Sequence, residues 1–176
     1  MVAGAPLFLI DYPLIILLCL HLGGVVSWLG ATVLFVSVIE PSMKFMDHDA
    51  ASDFLARVIP RLARFSIAVS ALTLLAGFFL FDYISTTHAY LLPSPRILFI
   101  YAGGILGFFA FVIVATGMLN ASNKIRNASV KLTVNGASES SGVSLDQVAS
   151  SVRGTLVASS YILVTILVLM ILGANF

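Results

Sequence analysis

Four long apolar segments constrain the fold of this chain more than any other feature of its sequence. A hydrocarbon core of about 30 Å is crossed by roughly 20 helical residues, and four stretches reach that length: residues 13–39, 65–84, 97–121 and 155–173. Hydrophobic residues make up 60% of the chain and charged residues 10%, whereas soluble domains hold about 50% and about 25%. The sequence therefore predicts an all-α integral membrane protein, a single domain built as a four-helix bundle.

The distribution of basic residues between the spans predicts the orientation of the bundle. Two of the three connections are rich in lysine and arginine, namely Lys44, Arg57, Arg61 and Arg64 in the first and Lys124, Arg126, Lys131 and Arg153 in the last. The middle connection has only Arg96. Because short cytoplasmic loops carry an excess of positive charge, the first and last connections are expected inside and both termini outside. These two predicted sides are called inner and outer below, and we expect a multi-pass protein of the cell membrane.

The two inner connections differ in character. Residues 44–64 place an apolar stripe opposite three arginines at steps of four and three, which predicts an amphipathic helix lying in the headgroup region. An alternative role for its basic face is to dock an acidic soluble partner or an anionic cofactor. Residues 122–153 are rich in serine, asparagine and glycine and have too little apolar content for a core, which predicts a flexible linker.

One histidine, His21, lies inside the first apolar segment. An ionisable side chain at this depth costs at least a few kcal/mol unless it has a partner, so His21 is a functional-site candidate. Gly24 and Trp28 follow it on the same helix face at steps of three and four. Since a glycine one turn away removes an obstructing side chain, we expect room for a flat macrocycle, with Gly24 and Trp28 as cofactor-wall residues.

His88 and Arg96 lie on the predicted outer side, in the connection 85–96. Imidazole is a usual axial ligand of haem iron, and guanidinium pairs well with propionate carboxylates. A b-type haem would therefore use His21 and His88 as iron ligands, with His88 coming from the same chain or a neighbouring protomer, and Arg96 as propionate partner. The simpler alternatives are an interhelical hydrogen bond for His21, a solvated His88 and an interfacial anchor at Arg96.

A motif in the first two spans comprises His21-Leu-Gly-Gly-Val-Val-Ser-Trp28-Leu-Gly30, Phe35, Pro41, Arg64-Phe65-Ser66 and Gly77. It resembles the CopD-like superfamily of small membrane proteins, which includes copper-resistance proteins and looks related to the HemJ-type protoporphyrinogen oxidases. The resemblance covers about the first two helices. It implies a bundle of four or more helices with haem b or copper chemistry near His21.

Three functions are consistent with these observations. The first is a b-type haem protein that carries electrons between a membrane quinol or outer donor and a redox partner, which leaves open a haem-dependent membrane oxidoreductase. The second is a copper-handling protein in which His21 and outer-side donors pass copper. The third is a cofactor-free accessory subunit of a membrane complex, with His21 hydrogen-bonded to a neighbouring helix.

The expected partners follow from charge and helix faces. Small residues recur at Gly23, Ser27 and Ala31 and again at Gly103 and Gly107, spacings that allow close helix approach, so we expect a homo-oligomer in the lipid bilayer. The formal net charge is +1, and no basic stripe of the kind that nucleic acid requires is present. Nucleic acid is therefore excluded as a partner.

Overall fold

The computed structural model describes residues 11–89, 94–135 and 145–174, and these are helical almost throughout. Helix α1 covers Tyr12–Leu34 and continues through a π-helical turn, Phe35–Ile39, into the short helix α2, Glu40–Met43. The remaining helices are α3, His48–Thr87; α4, Ser94–Asn135; and α5, Leu145–Ala174. The described ranges contain no strand, so the predicted all-α class is confirmed for them.

Four helical stretches are long and apolar enough to cross a membrane: Tyr12–Met43, Asp49–Thr87, Ile97–Asn127 and Gln147–Leu172. Many of their large apolar side chains are exposed on the bundle, such as Val26 at 69% and Leu98 at 70%. Exposed apolar surface of this extent is typical of helices surrounded by lipid, because lipid tails are as apolar as the side chains. The prediction of four membrane-compatible helices is confirmed, while the outer location of the termini stays a prediction.

Two helices extend further on the inner side than the sequence predicts. The stretch 44–64 does not form a separate in-plane helix, because most of it belongs to α3, a continuous helix of 40 residues. Its apolar stripe packs on the bundle through Leu55, Ile59 and Ala63, all buried, and this burial holds the helix in line despite Pro60. At about 1.5 Å per residue α3 measures roughly 60 Å, twice the hydrocarbon thickness.

The predicted flexible linker 122–153 is also mostly helical. Helix α4 continues to Asn135 and α5 begins at Leu145, so only residues 136–144 lie outside the described part of this stretch. The extra turns bury Ile125 on α4 and Val148 and Val152 on α5. A few apolar residues at helical spacing are sufficient to keep these turns helical, because the neighbouring helices supply the rest of the core.

The helices pack in the order α1, α3, α4, α5, with only a slight contact between α1 and α5. The main core lies towards the inner side and contains Trp28, Phe35, Leu55, Ile59, Val114, Met118, Val152 and Leu156. By contrast, α1 has no buried residue before Gly24. The outer half of α1 is therefore held chiefly by a single neighbour, α3.

Small residues in α4 form contacts within the chain. A side chain at Gly103 would meet Ile166 and Met170 of α5 at 3.3 Å, and one at Gly107 would meet Leu74 of α3 at 3.3 Å. Gly23 has open space around it. The Gly103 and Gly107 positions thus pack inside the bundle, and the predicted homo-oligomer would have to use another face.

Two polar contacts connect α1 and its extension to α5. Ser160 donates a hydrogen bond to the Thr32 hydroxyl at 2.9 Å. Arg153 forms an ion pair with Glu40 at 3.2 Å. Both contacts lie on the inner part of the bundle, where the main core is.

Candidate functional site

His21 lies in the contact between α1 and α3. Its Nδ1 is 2.9 Å from the backbone carbonyl oxygen of Thr73, which accepts the hydrogen bond. A carbonyl oxygen can only accept, so Nδ1 carries the hydrogen and, in neutral imidazole, Nε2 carries a free lone pair. No described residue forms a hydrogen bond with Nε2. His21 therefore presents one fixed donor nitrogen and one nitrogen able to accept a proton or bind a metal.

Gly77 provides the space in which the His21 ring lies. A Cβ atom at position 77 would come within 2.8 Å of Cε1 and 2.9 Å of Nδ1 of this ring, distances that real side chains do not show. The imidazole therefore packs directly against the α3 backbone, one turn beyond the carbonyl that accepts its hydrogen bond. The missing side chain at Gly77 and the bond to Thr73 together fix the orientation of the ring.

Gly24 lies at the same helix contact, but its surroundings differ from the expected open space. A Cβ atom at this position would overlap the Thr73 side chain, whose hydroxyl occupies that volume and donates to the Val69 carbonyl at 2.8 Å. Gly24 therefore allows α3 to approach α1. The room predicted beside it for a flat macrocycle is filled by Thr73, so Gly24 does not line an open space.

Trp28 is a core residue with 1% of its surface exposed. Its indole Nε1 is buried and has no hydrogen-bond partner among the described residues. The hydroxyl of Ser66 on α3 is also buried and has no hydrogen-bond partner among the described residues. Buried polar groups normally have hydrogen-bond partners, so these two atoms are exceptions. Both lie on the inner side of the contact between His21 and α3.

His88 lies at the outer end of α3 and forms part of a polar cluster. Its Nε2 is 2.7 Å from Oδ2 of Asp11, while the Tyr83 hydroxyl donates to Oδ1 at 2.8 Å. Asp11 also caps α1 by accepting from the Leu14 backbone N–H at 3.2 Å. The hydrogen bond from His88 is the main cause that holds the pKa of the Asp11 carboxyl below its usual value. This cluster joins the start of α1 to the end of α3.

The structure does not bring His21 and His88 together within one chain. The ring of His21 packs on Gly77, and His88 follows that glycine by eleven residues on α3. At 1.5 Å per residue this is about 16 Å along the helix, whereas two axial nitrogens of one iron are only about 4 Å apart. The predicted pair of ligands from a single chain is therefore not assembled.

Arg96 begins α4 at the same end of the bundle as His88, although its side chain lies outside the described part. Across the described residues no three His, Cys, Asp or Glu side chains group into a metal-binding cluster. His21 thus stands as a single candidate ligand.

Thr73 was not predicted to belong to the site, and Gly77 was part of the motif in the first two spans without a predicted role. They continue a stripe of small and polar residues on α3, Ser66, Ser70, Thr73 and Gly77, at steps of four, three and four. Such a stripe is typical of a membrane-helix interface. Matching it to the stripe of His21, Gly24 and Trp28 would have identified α3 as the partner of α1.

The comparisons with known proteins returned nothing that bears on this site: no protein-family model, curated protein sequence or solved structure matches the chain.

Proposed function

We propose that this chain is a membrane b-type haem protein that carries electrons between a quinol or outer donor and a partner, with Nε2 of His21 as axial ligand. The observation that supports the proposal is the hydrogen bond from His21 Nδ1 to the Thr73 carbonyl. Histidines that bind metal commonly donate their other ring N–H to a carbonyl or carboxylate, which fixes the tautomer and the ring orientation. His21 has this arrangement, and its second nitrogen is available.

A large apolar cofactor at His21 would have to lie on the side of α1 that faces away from α3, because Thr73 fills the space between the two helices. The imidazole is only partly buried, and α1 has no buried residue on its outer side up to Gly24. A cofactor on this part of α1 would therefore lie towards the lipid-facing surface. Haem b would supply one-electron iron chemistry, whereas the chain supplies the ligand, its orientation and apolar surroundings.

The proposal gives the chain one iron ligand. His88 is bound to Asp11 at the outer end of the bundle, so its role here is to connect α1 and α3. A sixth ligand, where one exists, would come from another protomer or from a small molecule. Arg96 stays a predicted propionate partner because it lies in the first turn of α4, at the predicted outer end.

A second candidate is a cofactor-free accessory subunit, and the close mutual fit of α1 and α3 favours it. Thr73 fills the volume that a side chain at Gly24 would occupy, and the His21 ring fills the corresponding volume at Gly77. In this case the hydrogen bond to Thr73 is the whole role of His21. Copper handling, which the resemblance also implies, gains no specific support from these contacts.

The distinguishing experiment is an absorption spectrum of the detergent-purified protein, oxidised and then reduced with dithionite. The haem proposal predicts a Soret band with sharp α and β bands on reduction. We expect His21→Gln to lose these bands while staying folded, because the glutamine amide can still donate to Thr73. His88→Gln is the matched control, and we expect it to keep the spectrum.

The opposite outcomes separate the candidates. A preparation that stays colourless after addition of haemin, yet is folded, would overturn the haem proposal and favour the accessory subunit. Haem bands that persist in His21→Gln would show that another residue binds the iron. Metal analysis that finds copper in a protein without porphyrin absorption would favour copper handling.

A further inference from the structure

A groove between α3 and α4 lies on the inner side of the bundle. It has a volume of about 510 Å³ and is lined by Ala56, Pro60, Ala63, Arg64, Ile67, Leu119, Ser122, Ile125 and Arg126. This volume is within the range of roughly 300–1,000 Å³ that is usual for small-molecule sites. Of the nine described residues that line it, six have aliphatic side chains, proline included, two are arginine, one is serine and none is acidic.

The positions of the two arginines relative to the apolar segments predict that both lie at the level of the membrane surface. Arg64 immediately precedes the apolar segment 65–84 of α3, and Arg126 follows the apolar segment 97–121 of α4 by five residues. Because these helices run in opposite directions, both positions fall at the inner interface. Ile67 and Leu119 continue the groove towards the hydrocarbon region. The groove therefore joins a basic rim at headgroup level to an apolar wall at acyl-chain level.

Both guanidinium groups retain the capacity to bind an anion. In the described part of the chain, Arg64 uses only Nε, which donates to the Pro60 carbonyl at 3.3 Å. Arg126 is exposed and forms no hydrogen bond or ion pair with any described residue. By contrast, Arg57 on the same helix is neutralised by Asp53 at 2.7 Å. Among the described residues, no carboxylate forms an ion pair with either arginine of the groove.

We propose that this groove binds one anionic phospholipid of the inner leaflet, with its phosphate between Arg64 and Arg126 and an acyl chain along Ile67 and Leu119. Guanidinium forms paired, charge-assisted hydrogen bonds with phosphate. Basic pockets between membrane helices on the cytoplasmic side are suited to anionic headgroups. Ser122 adds a hydroxyl on the same wall. This proposal does not depend on the one made for His21.

The test is native mass spectrometry of the detergent-purified full chain titrated with phosphatidylglycerol or with phosphatidylcholine of identical acyl chains. We expect one phosphatidylglycerol molecule to bind in clear preference to phosphatidylcholine. Arg64→Gln and Arg126→Gln should each weaken its binding about fivefold, the effect of one basic residue close to an anionic lipid. Arg61→Gln is the matched control, because it removes the same charge one turn away without lining the groove, and its binding should be unchanged.

A second variant tests the apolar part of the site without changing any charge. Leu119→Trp would place a larger side chain in the part of the groove assigned to the acyl chain, so we expect it to weaken phosphatidylglycerol binding as well. Three results would overturn the proposal. Equal weakening by Arg61→Gln would show non-specific attraction to basic surface, and equal binding of phosphatidylcholine would show an apolar groove without headgroup recognition. Displacement of the lipid by an equal concentration of free glycerol phosphate would show a site for soluble anions.

Discussion

Replacement of Gly77 by alanine tests whether the close packing of His21 on α3 holds the outer part of the bundle together. The added methyl group would lie within 2.8 Å of Cε1 and 2.9 Å of Nδ1 of the imidazole. The ring has to move, and with it the nitrogen that donates to the Thr73 carbonyl at 2.9 Å. One methyl group on α3 therefore disturbs both the packing and the hydrogen bond of a residue on α1.

The expected magnitude combines three contributions. Forcing a methyl group into a packed contact costs about 1–3 kcal/mol. An interhelical hydrogen bond in a membrane protein contributes on average about 0.6 kcal/mol, and the better helix propensity of alanine restores up to about 1 kcal/mol. With the full gain in helix propensity subtracted, the net loss of stability should be about 0.6–2.6 kcal/mol for Gly77→Ala. Gly23→Ala on α1 is the matched control, because nothing lies within 4 Å of its added Cβ atom.

The chain contains its own probe for this measurement. Trp28 is the single tryptophan and is 1% exposed, so its fluorescence reports the opening of the core during unfolding in mixed detergent and dodecyl sulfate micelles. We expect Gly77→Ala to unfold at a lower dodecyl sulfate fraction than the native protein, and Gly23→Ala to be unchanged or slightly more stable. In a His21→Ala background the cost of Gly77→Ala should vanish, since the ring is gone. Equal stability of Gly77→Ala and Gly23→Ala would refute the proposed packing.

Two further predictions concern the ends of the bundle. The hydrogen bond from His88 lowers the pKa of the Asp11 carboxyl in the folded protein. The stabilising effect of the carboxylate is therefore complete above the unfolded pKa of 3.8 and is lost as pH falls through the lower folded pKa. Asp11→Asn should lower the melting temperature at pH 7, as followed by circular dichroism, and this effect should become smaller as pH falls below 3.8. An effect that does not change with pH would contradict the assignment. Gly117→Ala would press a methyl group into Thr155 of α5, so it should destabilise the α4–α5 contact by about 1–3 kcal/mol in the same fluorescence assay. Gly154→Ala is the control, because the space around Gly154 is open and the added methyl group should have no such effect. Equal stability of the two variants would contradict this packing.

The sequence was sufficient to predict the helices that are compatible with a membrane, because length and hydropathy depend only on local composition. It did not predict how far α3 and α4 extend, since Pro60 and the serine-rich stretch after residue 121 are typical of helix breaks. In the structure, packing against neighbouring helices buries Ile59 and Ile125 and holds these stretches helical. Tertiary contacts thus outweighed local preference.

The candidate site shows a similar division between local and long-range information. His21 could be selected from the sequence because an ionisable side chain in an apolar segment is unusual. Its partner could not, because Thr73 is 52 residues away and the choice among helices depends on their packing. The pairing of His88 with Asp11, 77 residues apart, is of the same kind. The sequence therefore allowed two interpretations of His88, as an iron ligand or as a solvated residue. Neither predicted its hydrogen bond to Asp11.

The π-helical turn Phe35–Ile39 affects which residues of the first span face the neighbouring helices. In this turn the N–H of Glu40 bonds to the carbonyl of Phe35, one residue further back than in an α-helix. The additional residue changes the angular phase of everything that follows by about 100°. Eight residues separate Thr32 from Glu40, which is about 80° around a regular α-helix, and the offset leaves the two residues within about 20° of each other. Both then face α5, where Thr32 contacts Ser160 and Glu40 pairs with Arg153. A single inserted residue thus keeps the inner end of the first span directed at the helix that Thr32 already contacts.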